Sequence, residues 1–278
     1  MLLVYLLSYG SVKFYTPNAV FNRSSVTKLK SHLDTSMRSI RIYQNSELSP
    51  GVTASLDESA TRHIGQVLRM SVGDEVVLFN GNGFDYPARI TNISKKHIEV
   101  HLQAVVNNDT ESGLIVHLFQ GISKGDRMDT AIQKSVELGV NFITPIICEH
   151  TVARTSRERT DKKLAHWMNI IINACEQSGR AKLPELLPVE SFESAINDTE
   201  PAQTLMLHPN QLISVSNVPL EKRRINLLIG PEGGFSEHEI KVAEDKCVRL
   251  VSMGKRILRT ETAPVAALSV LQSRFGDY

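Results

Sequence analysis

The sequence predicts a two-domain α/β protein in which a small β-barrel precedes a mostly parallel sheet flanked by helices. Residues 37–106 are mainly short strand-like runs separated by turns, whereas later residues alternate apolar strand-like runs with helical segments. That alternation is typical of βαβ units and a parallel sheet. Between the two patterns, residues 107–113 (Asn-Asn-Asp-Thr-Glu-Ser-Gly) are polar and turn-rich. We therefore expect a second domain over residues 107–278.

Composition excludes several classes of protein. The chain has 278 residues, 41% of them apolar, which is enough for two packed domains. With 31 basic and 30 acidic residues the formal net charge is +1, so any surface for nucleic acid has to be local. Cys148, Cys175 and Cys247 are widely separated within apolar runs. This spacing favours reduced core thiols in a cytoplasmic protein and predicts no metal site.

The first 36 residues differ from the rest of the chain. Residues 1–7 are apolar but too few to span a bilayer, and neither a preceding basic residue nor a cleavage site marks a signal peptide. Residues 8–36 are polar with little periodicity. We interpret residues 1–36 as an extension that is disordered or lies upstream of the native start. An amphipathic membrane contact is the alternative, and no other feature supports it.

The first domain is predicted from alternating runs between turn residues. One helical segment, Ser59 to Arg69, interrupts the strands and places its apolar residues on one side. Gly81-Asn-Gly83 lacks the third glycine of a dinucleotide fingerprint and is better explained as a hairpin turn. The predicted strands are Ser39 to Tyr43, Glu75 to Asn80, Tyr86 to Ile93 and His97 to Gln103.

The second domain opens with a strand, a helix and a strand. Leu114 to Phe119 and Phe142 to Ile147 are the strands, and Asp126 or Asp129 is the expected cap of the helix. The loops that follow these strands contain Lys124 and Arg127, and His150 and Arg154, respectively. Because the carboxyl ends of parallel strands share one edge, both loops should lie at that edge.

An amphipathic helix is predicted from Asp161 to Ser178, ending at Gly179. Its polar end, Glu176-Gln-Ser-Gly-Arg180, contributes either to a site or subunit contact or only to an ordinary helix terminus. Thr204 to Leu207 is a further short strand, and His208 after it is assigned a place at the edge of a ligand site.

A strand, a glycine-rich loop and a helix follow at residues 225–239. The apolar run Ile225 to Ile229 ends at Gly230 and Pro231, and Ser236 with Glu239 forms a capping box that starts a helix. The loop has neither the lysine-containing phosphate loop nor the dinucleotide pattern. Glu232 in the loop would repel phosphate but suits a cation such as a sulfonium, or a ribose hydroxyl.

A second loop of this type lies at residues 254–262. Val248 to Met253 resembles a strand that ends at Gly254, and Thr260 or Thr262 can cap the next helix. Lys255, Arg256 and Arg259 suit an anionic polymer or an anionic transition state. The alternative is a charged surface turn.

Four segments resemble one known family. GPEGGFSEHEI (230–240), MGKRILRTETAPVAAL (253–268), KGDRMD (124–129) and EQSGR (176–180) resemble motifs of the bacterial 16S rRNA (uracil-N3) methyltransferases, which belong to the SPOUT class of S-adenosylmethionine-dependent RNA methyltransferases. The resemblance extends from Met37 to Tyr278. It implies a PUA-like RNA-binding domain at 37–106, a parallel sheet with a C-terminal trefoil knot, and a homodimer.

The resemblance also implies where the cofactor binds. S-adenosylmethionine would be held by three loops, comprising Leu207 and His208; Gly230, Pro231, Glu232, Gly233 and Gly234; and Met253, Gly254, Ile257, Leu258 and Thr260. The target would be N3 of a specific uridine in 16S rRNA of the small ribosomal subunit. Candidate RNA contacts are Arg38, Arg41, Arg62, Arg69, Lys124, Arg127, Arg154 and Arg180.

Methylation at N3 requires loss of a proton that is mostly present at neutral pH. We expect Arg259 to stabilise the resulting anion while Glu232 or Glu261 accepts the proton, with the choice between the carboxylates left open. The alternative function is a non-catalytic RNA-binding or ribosome-assembly protein with the same fold. A nucleotide-phosphate enzyme is disfavoured by the missing phosphate loop and by Glu232.

Overall fold

The computed structural model describes residues 40–95, 97–151, 157–209, 211–219 and 223–278. The predicted extension at 1–36 and the predicted RNA contacts Arg38 and Arg154 lie outside these ranges. The described residues form a six-stranded sheet followed along the chain by a seven-stranded sheet.

The six-stranded sheet is mainly antiparallel, with a parallel pair of β1 and β3 at one edge. Its order is β1-β3-β4-β5-β2, and β6 pairs with β4. Alternate side chains of β4 and β5 are buried, as expected for strands with one face on a core. The strands are β1 (Ile40–Tyr43), β2 (Thr53–Ser55), β3 (Glu75–Phe79), β4 (Phe84–Ile93), β5 (Ile98–Leu102) and β6 (Val106–Asn107).

The predicted hairpin turn between β3 and β4 is confirmed. Gly81 and Gly83 have φ angles of +90° and +91°, a region that glycine adopts without a steric penalty. The predicted helix at 59–69 is two shorter pieces. An α-helical turn, α1 (Glu58–Arg62), is capped by Asp57 and continues into a π-helical turn, His63–Leu68.

The seven-stranded sheet is entirely parallel, as predicted. Its order is β10-β8-β7-β12-β11-β13, and β9 pairs with β8. The sequence of β7 is mainly apolar, which fits its central position, because a strand covered on both faces buries most of its side chains. The strands are β7 (Ile115–Gly121), β8 (Phe142–Ile147), β9 (Glu185–Leu186), β10 (Glu190–Ser191), β11 (Thr204–Leu207), β12 (Arg224–Ile229) and β13 (Arg249–Val251).

Helices cover both faces of this parallel sheet. One core contains apolar residues of α2, α3 and α6, and a second, smaller core contains residues of α4 and α5. The helices are α2 (Asp126–Glu137), α3 (Arg157–Ser178), α4 (Phe192–Asn197), α5 (Glu237–Asp245) and α6 (Thr262–Phe275). No described helix has the length and apolarity needed to cross a membrane.

One of three predicted helix caps is confirmed. Ser236 and Glu239 form the capping box of α5. In contrast, α2 begins after Gly125, and neither Asp126 nor Asp129 caps it. The expected cap of α6 by Thr260 or Thr262 is also wrong, because Glu261 is the N-cap residue and makes no side-chain cap bond. Thr260 does not cap the helix because its hydroxyl donates a hydrogen bond to the Gly230 carbonyl in the neighbouring loop.

Two of the three cysteines are core thiols. Cys148 and Cys175 are buried, and burial raises the pKa of Cys175 to about 12, so this thiol stays protonated at neutral pH. Cys247 was predicted to be buried but is exposed, because it occupies a left-handed turn (φ +58°) between α5 and β13. Within the described residues no three potential metal-ligating side chains converge.

The order of the parallel strands places the loops that follow several of them at the same edge of the sheet. β7 is followed in the chain by β8 on one side, whereas β12 and β11 lie on its other side. Loops from the carboxyl ends of strands on either side of such a reversal diverge and leave a crevice. The ends of β7, β11, β12 and β13 therefore define the place where a ligand can bind.

Candidate active site

A cavity of about 610 Å³ opens at the carboxyl ends of β11, β12 and β13. Three loops from separate parts of the chain line it, together with Arg127 from the start of α2. All twelve residues expected to hold a cofactor line this cavity, and so do the three candidate catalytic residues Arg259, Glu232 and Glu261. The structure thus brings the two motif loops together, as their positions after parallel strands predict.

The glycine-rich loop makes a tight turn against a neighbouring loop. The amide of Gly234 donates to the carbonyl of Pro231 at 2.9 Å, and Gly234 has a φ of +70°. A β-carbon on Gly233 would lie 2.8 Å from the β-carbon of His150. His150 also contacts the Gly233 carbonyl through Nδ1 at 3.1 Å. These positions need glycine because a side chain would displace the loop.

Glu232 connects the glycine-rich loop to the loop that precedes α2. Its Oε1 accepts from the backbone amide of Lys124 at 2.9 Å and from the Arg127 guanidinium at 3.0 Å. Burial raises the pKa of Glu232, but hydrogen bonds from the amides of Lys124 and of Glu232 itself, and from Arg127, outweigh it and bring the pKa below its ordinary value. Glu232 is therefore ionised and already engaged, which makes it a weak proton acceptor.

Arg259 and Glu261 have uncommitted polar groups at the cavity. The Arg259 side chain is exposed and makes no hydrogen bond or ion pair with the part of the chain that the structure describes. The Oε2 atom of Glu261 is buried and has no hydrogen-bond partner among the described residues. A buried unpaired carboxylate oxygen is costly and is expected where a ligand supplies the donor.

Polar residues at the end of β7 also join the cavity loops, and sequence reasoning missed them. Gln120 donates to the Thr260 hydroxyl at 3.1 Å, and Ser123 lies 3.3 Å from the same oxygen. Thr260 in turn donates to the Gly230 carbonyl at 2.8 Å. The available signal was Gln120 itself, a polar residue near the end of a mainly apolar strand.

The lining of the cavity is suited to a ligand with both apolar and polar parts. Leu207, Met253, Ile257, Leu258 and Ala263 supply apolar walls, while the turn of the glycine-rich loop lets backbone groups approach a ligand closely. His208, whose Nδ1 lies 3.0 Å from the side-chain amide nitrogen of Gln211, also lines the cavity. Such a lining fits the adenosine and sulfonium groups of S-adenosylmethionine, and the ionised Glu232 complements a positive charge.

Family models match most of the described chain. An RNA methyltransferase domain model matches residues 110–272, and an RNA methyltransferase PUA domain model matches residues 56–103. The chain belongs to the RNA methyltransferase family. The methyltransferase thus has a SPOUT-type fold with a PUA-like domain before it, and the position of β11 between β12 and β13 is compatible with the trefoil knot that the family resemblance implies.

Curated relatives and solved structures cover nearly the same region. A ribosomal RNA small subunit methyltransferase E from Buchnera aphidicola (subsp. Schizaphis graminum) is 37% identical to the methyltransferase over 85% of this chain and 97% of its own length. The Bacillus subtilis protein of the same name is 27% identical over 81% and 91%, respectively.

Two solved structures share this fold. The Neisseria gonorrhoeae ribosomal RNA small subunit methyltransferase E, bound to S-adenosyl methionine, is 38% identical to the methyltransferase with a TM-score of 0.81, covering 87% of this chain and all (100%) of that one. A Legionella pneumophila protein solved with bound cofactor SAM is 42% identical with a TM-score of 0.84 and the same coverage.

The structure gives two predicted RNA contacts of the methyltransferase another role. Arg180 is 4% exposed, pairs with Glu111 at 2.8 Å and donates to the carbonyls of Val136 and Val140. Arg41 forms a bidentate pair with Asp85 at 2.7 Å. Both guanidinium groups are engaged inside the protein, so they have little capacity left for phosphate.

The other four described candidates are exposed. Lys124 and Arg127 lie beside the cavity. Arg62 and Arg69 lie in and directly after the helical segment between β2 and β3. Arg62 makes only a surface pair with Glu58 at 2.8 Å. Arg127 donates to Glu232 through Nη1 at 3.0 Å. The other three side chains remain available to an anionic partner, because surface pairs such as that of Arg62 are weak.

Proposed function

We propose that this protein transfers the methyl group of S-adenosylmethionine to N3 of a uridine in 16S rRNA of the small ribosomal subunit. The observation that carries the proposal is the cavity in which a glycine-rich loop, the unpaired cation of Arg259 and the unpaired Glu261 oxygen meet. The named relatives methylate ribosomal RNA of the small subunit, and the Neisseria gonorrhoeae structure contains the same cofactor.

The three loops are proposed to hold the cofactor. Apolar side chains of Leu207, Met253 and Leu258 would enclose the adenosine, and backbone groups of the glycine-rich loop would bond its polar edges. The bound cofactor supplies an electrophilic methyl group on a sulfonium sulfur. The contribution of the protein is then to position the uracil N3 in line with that group and to exclude water.

Arg259 is proposed to stabilise the uracil anion. Removing the N3 proton leaves negative charge on the ring and its two carbonyl oxygens, and a guanidinium can donate two hydrogen bonds to such a group. The Arg259 guanidinium makes no hydrogen bond or ion pair within the described residues, so its donors are free for the substrate.

Glu261 is proposed to accept the proton. Its Oε2 has no partner among the described residues and lies at the same cavity, whereas Glu232 is occupied by Lys124 and Arg127 and has a lowered pKa. A carboxylate with a low pKa and two donors is a poor base. We therefore assign Glu232 to holding the loops and Glu261 to proton transfer.

The remaining expectations concern RNA, assembly and location. Lys124 and Arg127 are proposed to contact the RNA near the target base, and Arg62 and Arg69 to contact it from the PUA-like domain. We further propose domain boundaries at 37–106 and 107–278, with residues 1–36 as an extension. A homodimer is proposed from the family resemblance. A cytoplasmic location is proposed because the substrate, 16S rRNA, is found there.

The deciding experiment is methyl transfer from labelled S-adenosylmethionine to small ribosomal subunits isolated from cells that lack their own copy of this activity. We expect label in 16S rRNA and N3-methyluridine in the nucleoside digest by mass spectrometry. Subunits from cells that retain the activity are the matched control and should accept little label. Absence of transfer, with normal cofactor binding, would contradict the proposed substrate and favour a non-catalytic or different RNA-binding role.

A further inference from the structure

We propose that Gln120 is a positioning residue for the cofactor loops, acting through a chain of hydrogen bonds that runs from its amide to the Thr260 hydroxyl and on to the Gly230 carbonyl. The proposal rests on the proposed function in one respect, namely that the cavity binds S-adenosylmethionine. Gln120 itself does not line the cavity, so it acts only through residues that do.

The chain of hydrogen bonds has a defined direction. The Nε2 of Gln120 donates to Thr260 Oγ1 at 3.1 Å and to the Gly121 carbonyl at 3.2 Å. Thr260 Oγ1 donates to the Gly230 carbonyl at 2.8 Å. A hydroxyl has one proton to donate. By filling the acceptor side of Thr260, Gln120 favours the arrangement in which that proton points to Gly230.

This arrangement joins three segments that are distant in sequence. Gly230 follows β12, Thr260 precedes α6, and Gln120 lies near the end of β7 in the middle of the sheet. Residue 231 is proline and has no amide hydrogen, so the peptide after Gly230 cannot be fixed by a bond from that nitrogen. The Thr260 hydroxyl supplies the missing constraint, and Gln120 connects that hydroxyl to a central strand of the sheet.

Packing alone does not explain a glutamine at this position. Gln120 is 0% exposed, and its Oε1 has no hydrogen-bond partner among the described residues. Leaving a buried carbonyl oxygen unpaired destabilises a protein, and a leucine of similar shape would avoid that cost. The side-chain amide of Gln120 is therefore better explained by its hydrogen bond to the Thr260 hydroxyl than by a contribution to the stability of the core.

Gln272 provides a matched control. It is also a buried glutamine, 1% exposed, with Nε2 donating to the Leu138 carbonyl at 2.9 Å and Oε1 accepting from Ser112 at 2.7 Å. It does not line the cavity. Replacing it removes the same kind of hydrogen bonds without touching the cofactor loops.

The experiment measures binding of S-adenosylmethionine and S-adenosylhomocysteine by calorimetry, together with the melting temperature, for Gln120→Leu, Thr260→Val, the double variant, Thr260→Ser and Gln272→Leu. We expect Gln120→Leu and Thr260→Val each to raise Kd about tenfold, the usual effect of one lost hydrogen bond at a binding site. The double variant should be no weaker than either single variant, because each breaks the same chain. Thr260→Ser, which keeps the hydroxyl, should bind the cofactor more tightly than Thr260→Val, and Gln272→Leu should lower the melting temperature without changing Kd.

Several outcomes would overturn the proposal. Wild-type affinity in Gln120→Leu would do so, and so would losses that simply multiply in the double variant. If Gln120→Leu does not fold, equal affinities of Thr260→Val and Thr260→Ser would also reject it. Failure of the proposed function would look different, since wild-type protein would then bind the cofactor but transfer no methyl group to small-subunit rRNA.

Discussion

Glu232 accepts a hydrogen bond from the backbone amide of Lys124 at 2.9 Å, although 108 positions separate the two residues in the chain. The same oxygen accepts from Arg127 at 3.0 Å. The glycine-rich loop after β12 is thereby tied to the segment that starts α2. A carboxylate in the middle of a cofactor loop thus has a structural task, and its charge is offset by neighbouring donors.

Replacing Glu232 with alanine should weaken cofactor binding more than catalysis. Loss of both contacts frees the two loops, and we expect the Kd for S-adenosylmethionine to rise roughly tenfold, the effect of about one charge-assisted hydrogen bond. Calorimetry measures the change. Glu75→Ala is the control, since Glu75 makes an exposed ion pair with Arg89 in the other sheet and should leave Kd unchanged. Normal binding with abolished transfer would instead identify Glu232 as the base.

Glu261→Gln should reduce the rate of methyl transfer without a matching loss of cofactor affinity. A glutamine fills the same volume but cannot accept the N3 proton, so we expect kcat to fall about a hundredfold or more. Single-turnover rates on small subunits measure this. The deficit should shrink as pH rises, because the uracil then loses its proton without help. A deficit that is independent of pH would argue against proton transfer at Glu261.

Arg259→Ala should also reduce kcat, by about two orders of magnitude, because the uracil anion loses its main stabilising cation. Arg259→Lys should recover part of the rate, since it restores the charge but not the two parallel donors. Arg256→Ala is a suitable comparison, because Arg256 lines the cavity too and is exposed. We expect that variant to raise KM for RNA with little change in kcat. Normal turnover of Arg259→Ala at saturating RNA would refute the assignment.

Gly121→Ala should disrupt the site, whereas Gly65→Ala should be tolerated. A β-carbon at 121 would overlap the Pro231 nitrogen and lie 2.7 Å from the Gly230 carbonyl carbon, which are backbone atoms that cannot move aside. At Gly65 it would meet only a side-chain methyl of Ile98 at 3.8 Å, an ordinary contact. We expect Gly121→Ala to lose measurable cofactor binding and several degrees of melting temperature. Equal behaviour of the two variants would contradict the close approach of β7 to the glycine-rich loop.

The sequence predicted the central strands and the convergence of the motif loops, because both follow from local patterns. A run such as Ile225 to Ile229 is typical of a buried strand in a parallel sheet, and glycines mark where it ends. The exposure of Cys247 and the caps of α2 and α6 were predicted incorrectly. The cap of α6 depends on a contact between distant residues, because Thr260 bonds Gly230 and not the start of α6, whereas the exposure of Cys247 follows from its left-handed turn.

Charged residues were the hardest to place from sequence. Arg62 and Arg180 look equally suited to RNA in the sequence, yet one is on the surface and the other is buried beside Glu111. Whether an arginine faces solvent depends on which strands and helices pack around it, and no periodicity near residue 180 encodes the position of residue 111. The roles of Glu232 and Glu261 separated for the same reason, since their hydrogen-bond partners come from other loops.

Arg180→Met should therefore act on stability and not specifically on RNA binding. The substitution removes the ion pair with Glu111, in which the side chains of Arg180 and Glu111 are 5% and 17% exposed, respectively. It leaves the Glu111 carboxylate and two backbone carbonyls without the donors that Arg180 supplies. Breaking a buried pair from one side typically lowers the free energy of unfolding by about 3–5 kcal/mol. Urea denaturation measures this, and Arg62→Ala, at an exposed pair, should change it by less than about 1 kcal/mol. RNA affinity of the folded Arg180→Met protein should match the wild type, because the lost guanidinium faces the interior; unchanged stability with weakened RNA binding would place Arg180 at the RNA interface after all.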